Sequence, residues 1–332
     1  MLNRVVESFY WIGRYTERID YTARLMDVTL YAHHNHLGKE TNRNDLQERF
    51  STILSDVASE QVNDMCLNVN KILEYVTIDQ ENINSIFNSL NQARFNVRVV
   101  RQQTSAKMWD TINSFYLWLL EQKQKKDLEQ SPFLFLERVR NEVSLFNGVT
   151  DSSMLHEVEW RFLQAGKLLE RTENTVRIIQ KLFLSLEEEN SNESDYAYYH
   201  LNSVLESVDG FEAFRKFHAN QVELETVIEF LVLNTVFPRS ISFSLSELER
   251  YLKEIQVEHQ LEHITKVIRL VKRQRVLLFN CLGNKEKPMH RAFLTELLAS
   301  CNHIGQELEK CFFYDRGEEV VDCFPNRVAE MV

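Results

Sequence analysis

Gly13-Arg14-Tyr15-Thr16-Glu17-Arg18-Ile19-Asp20-Tyr21-Thr22-Ala23-Arg24-Leu25 is the stretch whose reading decides the fold. It lies in a run that starts at Asn3, a residue able to cap a helix, and meets no breaker other than Gly13 before Gly38. The run predicts about 35 residues of continuous helix over 4–37, or ~50 Å. At about 100° per residue, Arg14, Glu17, Arg18, Tyr21 and Arg24 share one face, and Ile12, Tyr15, Ile19, Ala23 and Met26 share the opposite one. The stretch returns as Gly166-Lys167-Leu168-Leu169-Glu170-Arg171-Thr172-Glu173-Asn174-Thr175-Val176-Arg177-Ile178, a constant 153 residues further on (170 − 17). Gly, Glu, Arg, Thr and Arg are identical, and Arg14/Lys167, Asp20/Glu173 and Leu25/Ile178 are conservative. Lys167, Glu170, Arg171, Asn174 and Arg177 then form the charged side, against Leu168, Thr172, Val176 and Ile179. Propensity alone does not demand a shared Gly or Thr, so the expectation is an all-α, multi-helical bundle of two pseudo-repeated halves built on long helices. The first half covers 1–150, the second 151–313, and 314–332 reads as an irregular tail.

Composition agrees with that class. Eight Gly and four Pro in 332 residues are about 4% of the chain, against about 12% in average usage. So few turn formers exclude sandwiches, barrels and Gly-rich nucleotide folds, while 44% hydrophobic residues suffice for a large core. A net charge of −11 opposes non-specific attraction to nucleic acid or anionic membranes. Cys66, Cys281, Cys301, Cys311 and Cys323 are odd in number and scattered, and charge arrives early in Met1-Leu2-Asn3-Arg4-Val5-Val6-Glu7. A cytoplasmic protein with reduced thiols is expected. The longest apolar stretches, around Phe115–Leu120 and Phe230–Phe237, fall short of the roughly 20 residues of a membrane span.

Further helices are predicted over 44–75, 82–104, 105–129 and 132–147, the last entered at Ser131-Pro132 and closed by Gly148. A second long helix is predicted over 152–186, ahead of the acidic connector Glu187 to Ser194. Helices over 196–207, 209–234, 240–257, 260–282 and 288–313 follow, divided by Gly210, Pro238, Gly283 and Pro288.

The charged faces admit three readings. Pairs such as Arg14–Glu17, Asp20–Arg24 and Glu173–Arg177 form a solvated row, each worth only ~0.3–0.5 kcal/mol. Alternatively, the two long helices share a buried network in which every guanidinium must find a carboxylate. In the third reading the faces line a cleft for an anionic ligand. Gly13 and Gly166 flank both faces, where the missing side chain lets another helix come close. Arg94, Arg98 and Arg101, at i, i+4 and i+7, form a second basic stripe beside Asn91, Trp109 and Asn113. The stripe is answered internally by Glu17 and Glu170 or externally by a carboxylate or phosphate.

Other strings carry less chemistry. His259-Gln260-Leu261-Glu262-His263 matches H-x-x-E-H, yet its polar surroundings offer no third ligand. His33, His34 and His36 with Glu40 close the first helix, where imidazoles favour the dipole without metal. Lys266, Arg269, Lys272, Arg273 and Arg275 read as a solvated basic face. No P-loop, G-x-S-x-G, C-x-x-C pair or Glu-x-x-His ligand pair occurs, so neither cofactor nor metal is expected.

Trp11-Ile12-Gly13-Arg14-Tyr15-Thr16-Glu17-Arg18, Gly166-Lys167-Leu168-Leu169-Glu170-Arg171, Ala93-Arg94-Phe95-Asn96-Val97-Arg98-Val99-Val100-Arg101 and Phe237-Pro238-Arg239-Ser240 together resemble the alpha-E family, over about residues 1–313. This is a bacterial all-helical family of unsettled function, named for its helices and Glu-Arg motif. The resemblance implies an accessory component working with ATP-grasp-type and transglutaminase-like proteins in peptide modification. It carries the Glu-Arg pairs onto Glu17, Arg18, Glu170 and Arg171, and the arginine segment onto Arg94, Arg98 and Arg101. The resulting expectation is a partner protein that holds a carboxylate or phosphate, of a peptide or small ligand, through Arg14, Arg18, Arg24, Arg94, Arg98, Arg101, Arg171 and Arg177. Two alternatives stand: an enzyme using Glu17 or Glu170 as a general base with a raised pKa, and a purely structural scaffold.

Overall fold

The structure is a computed structural model that describes residues 2–36, 69–125, 128, 131–188, 194–219, 222–259, 264–283 and 291–312. Among the described residues there are twelve α-helices and no strand: α1 (Leu2–His36), α2 (Val69–Thr77), α3 (Ile86–Val99), α4 (Ala106–Lys125), α5 (Pro132–Ser153), α6 (Val158–Glu188), α7 (Ser194–Ser207), α8 (Phe211–His218), α9 (Leu224–Leu233), α10 (Ile241–His259), α11 (Thr265–Gly283) and α12 (Arg291–Phe312). The two long helices, α1 and α6, make the most extensive contact in the molecule. Around α1 pack α3 and α5, bridged by α4; around α6 pack α10 and α12, bridged by α11.

The reason α1 sits at the centre is its composition. Ile12, Ile19, Ala23 and Met26 are buried on one face, and Glu17, Tyr21 and Arg24 are buried on the other. A helix covered all round needs partners for its polar groups as well as its apolar ones. Thr16 and Thr29 return their hydroxyls to the carbonyls of Ile12 and Leu25. Aromatic packing fills the flanks, as where Phe115, Trp118 and Phe135 stack in sequence between α4 and α5.

Several predicted boundaries are corrected. α3 starts at Ile86 rather than 82, because Asn82 donates to the Tyr75 carbonyl and accepts from the Asn84 amide. Ser85 then caps the helix by accepting from the Asn88 amide. It ends at Val99, and Arg101–Gln103 form a separate 3-10 turn. α5 runs through Gly148 to Ser153, since Phe146, Val149 and Thr150 keep its inner face buried beyond that glycine. α6 consequently begins at Val158, not 152. The single helix expected over 209–234 is two, α8 and α9, separated by Ala219 at φ 51° and restarted by a reciprocal Glu223–Thr226 cap. Of the helix predicted over 44–75, only the end from Val69 is described, and the tail 314–332 and most of the acidic connector lie outside the described residues.

Gly148 gives a direct test of this packing. It is exposed within α5, and an added Cβ would meet nothing within 4 Å. Gly148→Ala is therefore expected to stabilise the protein by about 0.5–1 kcal/mol, read as a higher urea midpoint.

Candidate functional site

Two glycines bring α1 and α6 together. A Cβ on Gly13 would lie 2.0 Å from the Leu163 carbonyl oxygen, and one on Gly166 would lie 2.0 Å from that of Tyr10. Backbone thus rests on backbone at both crossings, and the residues one turn along are forced to face each other.

Those residues are the Glu-Arg pairs, and they exchange partners between the helices. Arg18 donates through Nε (2.8 Å) and a terminal nitrogen (3.2 Å) to the two oxygens of Glu170. Arg171 donates through Nε (2.8 Å) and a terminal nitrogen (2.7 Å) to the two oxygens of Glu17. Arg14 adds its Nε at 2.6 Å from Glu170 and forks onto Glu173 at 2.8 and 3.0 Å. Outward along each helix, Arg24 pairs with Asp20 and Arg177 with Glu173, both at i, i+4. Arg177 also donates to Asn174, and Arg24 to the Ser207 carbonyl. Glu17 and Glu170 are 3% and 2% exposed. The expected intrahelical Arg14–Glu17 pair is corrected to a set of interhelical ones, because the glycine crossings place α6 nearer than the next turn of α1.

Electrostatics follow this geometry. Burial pushes the Glu17 carboxyl up, but Arg171 and then Arg239 overcome it and hold it below the usual range. Burial likewise opposes the ionised Glu170, and Arg14 and Arg18 outweigh it, lowering it to about 2. The raised pKa that a general base at either position requires is thus replaced by a lowered one. A depressed carboxyl contributes stability that is complete above its unfolded pKa of about 4.5 and lost as pH falls through its folded one. Acid titration is therefore expected to unfold the wild type progressively between about pH 4.5 and 2, with a shallower acid limb in Glu170→Gln; circular dichroism against pH checks it.

Two residues at turns, to which the sequence assigned no role in it, join this lattice, although Arg239 lies in the quoted stretch Phe237 to Ser240. Asn84 accepts from Arg18 at 3.4 Å, and Arg239 donates to Asp20 at 2.8 Å. Both stand immediately before a capping serine, Ser85 of α3 and Ser240 of α10, whose hydroxyls accept from Asn88 and Phe243 amides. The signal was present: Ser85-Ile86, Ser89-Leu90 and Ser240-Ile241, Ser244-Leu245 repeat the same four residues at one spacing.

Where the lattice nears the surface, Asp20, Asp27, Asp209, Glu137, Arg140 and Arg239 line a polar cleft of ≈ 440 Å³. Arg140 bridges Asp27 (3.2 Å) and Asp209 (2.8 Å) there. Neither Glu17 nor Glu170 lines it.

The second basic stripe goes elsewhere. Arg94 donates to Asn113 at 2.9 Å and lies over the rings of Tyr116 (4.5 Å) and Trp109 (5.3 Å). Arg101 covers Trp109 at 4.9 Å, and Arg98 is exposed. None of the three pairs with a carboxylate among the described residues, so the expected internal answer from Glu17 and Glu170 is corrected: those carboxylates are already taken. Among the described residues no group of three or more metal-binding side chains lies together. The string from Gln260 to His263, Glu40, and the side chains of His33, His36 and His259 fall outside what the structure describes.

Fold and site together define an all-helical protein whose two long helices are joined by reciprocal Glu-Arg pairs. The chain belongs to the Alpha-E family, whose model, described as an alpha-helical domain with a conserved ER motif, matches residues 1–313. It is 22% identical over 272 residues to uncharacterised proteins of Mycobacterium bovis and Mycobacterium tuberculosis, and 21% identical to a further one of Mycobacterium tuberculosis. Each match covers 76% of this chain and 30% of the mycobacterial protein, so the chain spans about a third of the length of these relatives. No solved structure matches. No described helix is long and apolar enough to cross a membrane.

Proposed function

We propose that this chain is a non-catalytic accessory component of a peptide-modification system, working in the cytoplasm beside ATP-grasp-type and transglutaminase-like proteins. The observation that carries this reading is the mutual consumption of the motif: each Glu of the Glu-Arg pairs is sealed from solvent and held by both oxygens on an arginine of the other long helix. A carboxylate so held is a poor proton acceptor and presents no free edge to a substrate. The motif therefore serves as the tie between the halves of the molecule. In the mycobacterial relatives the matching region is 30% of a longer chain, which supports a module that acts with others. The anionic group that the chain binds, a carboxylate or phosphate, falls to Arg94, Arg98 and Arg101, which pair with no carboxylate among the described residues, rather than to the Glu-Arg pairs.

The same reading makes the two halves products of internal duplication. Its support is the single offset of 153 that relates Tyr10, Gly13, Glu17, Arg18, Asp20 and Arg24 to Leu163, Gly166, Glu170, Arg171, Glu173 and Arg177, together with the swapped contacts between them.

The test is purification of the chain alone and together with an ATP-grasp-type protein from the same cell. The accessory reading expects a stable complex, and no ATP hydrolysis or peptide turnover by the chain by itself. Turnover by the isolated chain that Glu17→Gln abolishes while the fold survives would establish an enzyme instead.

A further inference from the structure

We infer that the surface formed by α3 and the start of α4, around Arg94, Arg98, Arg101 and Trp109, docks a short acidic segment of a partner protein carrying one bulky apolar side chain. This rests on the accessory reading and gives its partner a chemistry.

Charge is the first observation. Residues 82–109 contain no Asp or Glu and four cations, Arg94, Arg98, Arg101 and Lys107, in a chain whose net charge is −11. The lattice arginines are matched by carboxylates, whereas Arg94, Arg98 and Arg101 form no ion pair with any described residue. Arginines clustered with no ion-paired carboxylate among the described residues repel one another, and an incoming pair of carboxylates relieves that repulsion through charge-assisted, bidentate hydrogen bonds.

Order is the second. Arg94 is fixed by its bond to Asn113 and by the rings of Tyr116 and Trp109, and Arg101 covers Trp109 as well. Guanidinium groups held on aromatic rings have already lost much of the rotamer freedom that binding would otherwise cost.

Apolar exposure is the third. Phe95 and Val99, one helical turn apart and interleaved with the arginines, are each 53% exposed. Aromatic and arginine side chains side by side are the composition of an interface centre, and the exposed pair supplies a seat for an apolar anchor.

Extent then selects the occupant. From Arg94 to Arg101 the stripe covers about two helical turns, or ~10 Å, enough for two or three carboxylates. A nucleic acid would run past it along a chain whose net charge is −11, and would meet repulsion beyond the stripe. An acidic peptide segment ends where the cations end.

The experiment uses the full chain and a fluorescein-labelled 12-residue peptide with six Glu around a single Phe, followed by anisotropy at 150 mM NaCl. Saturable binding is expected, weakening steeply with added salt. Arg98→Glu/Arg101→Glu should weaken it at least tenfold in a protein that keeps its helical circular dichroism spectrum, and Arg98→Lys/Arg101→Lys should retain part of it. Arg215→Glu/Lys216→Glu, the same change in net charge on exposed positions of α8, should leave affinity within twofold. No binding, an equal loss in the α8 variant, or tighter binding of a 12-nucleotide DNA strand overturns the proposal. A labelled ATP-grasp-type partner in the same assay separates the two readings. If it binds wild type and Arg98→Glu/Arg101→Glu equally, the docking surface is wrong and the accessory role stands. If the peptide binds and the partner does not, the surface stands and the accessory role falls.

Discussion

Glu170→Ala is expected to cost about 3–5 kcal/mol of stability, read as a lower urea midpoint with an unchanged slope. Glu170 is 2% exposed and answers two guanidiniums, Arg14 and Arg18. Among the described residues, its removal leaves Arg18 with Asn84 and a ring contact to Tyr15, and leaves Arg14 with Glu173. The loss comes less from the forfeited attraction than from leaving two largely buried guanidiniums short of a carboxylate. The same logic predicts that removing both members of a pair hurts less than removing one. Glu17→Leu with Arg171→Met, of similar volume to the pair it replaces, should recover most of what Glu17→Ala loses. A solvated row of surface pairs predicts losses several-fold smaller for every one of these variants.

Gly13→Ala and Gly166→Ala should each be at least as damaging, at about 3 kcal/mol or more, or should prevent folding outright. In both cases the new Cβ would stand 2.0 Å from a carbonyl oxygen of the facing helix, a contact that no side-chain rotation relieves. The long helices must separate, and separation lengthens the bidentate Glu-Arg bonds a turn away. Both substitutions act on one interface, so Gly13→Ala/Gly166→Ala should destabilise by less than the sum of the single changes. Gly148→Ala, at an open position, serves as the control in which the same chemical change is favourable.

Much of this architecture was legible before the structure. The scarcity of Gly and Pro and the unbroken run up to Gly38 announce α1, and the recurrence of Gly-x-x-x-Glu-Arg announces α6. What pattern alone did not reveal was partner choice. Residues Arg14 and Glu17 are one turn apart, and helical spacing favours their pairing; only the close crossing at Gly13 and Gly166 makes the other helix the nearer source of carboxylate. The roles of Asn84 and Arg239 were not read, although repeated Ser caps mark both turns, because a turn ahead of a cap has no periodicity that points inward. The break at Ala219 escaped notice for a related reason: neither Gly nor Pro marks it, although its φ is positive at 51°. The stop expected at Gly148 failed in the opposite sense, since an exposed glycine costs a helix only about 1 kcal/mol, less than the burial of Phe146, Val149 and Thr150 returns.

The claim that everything else depends on is that the Glu-Arg motif acts across the two long helices, each glutamate serving the other helix's arginine. A double-mutant cycle in urea on Glu17→Ala and Arg171→Ala measures it. A coupling energy of at least about 1 kcal/mol is predicted; additivity within about 0.3 kcal/mol would contradict the account, because residues in contact couple and independent ones do not.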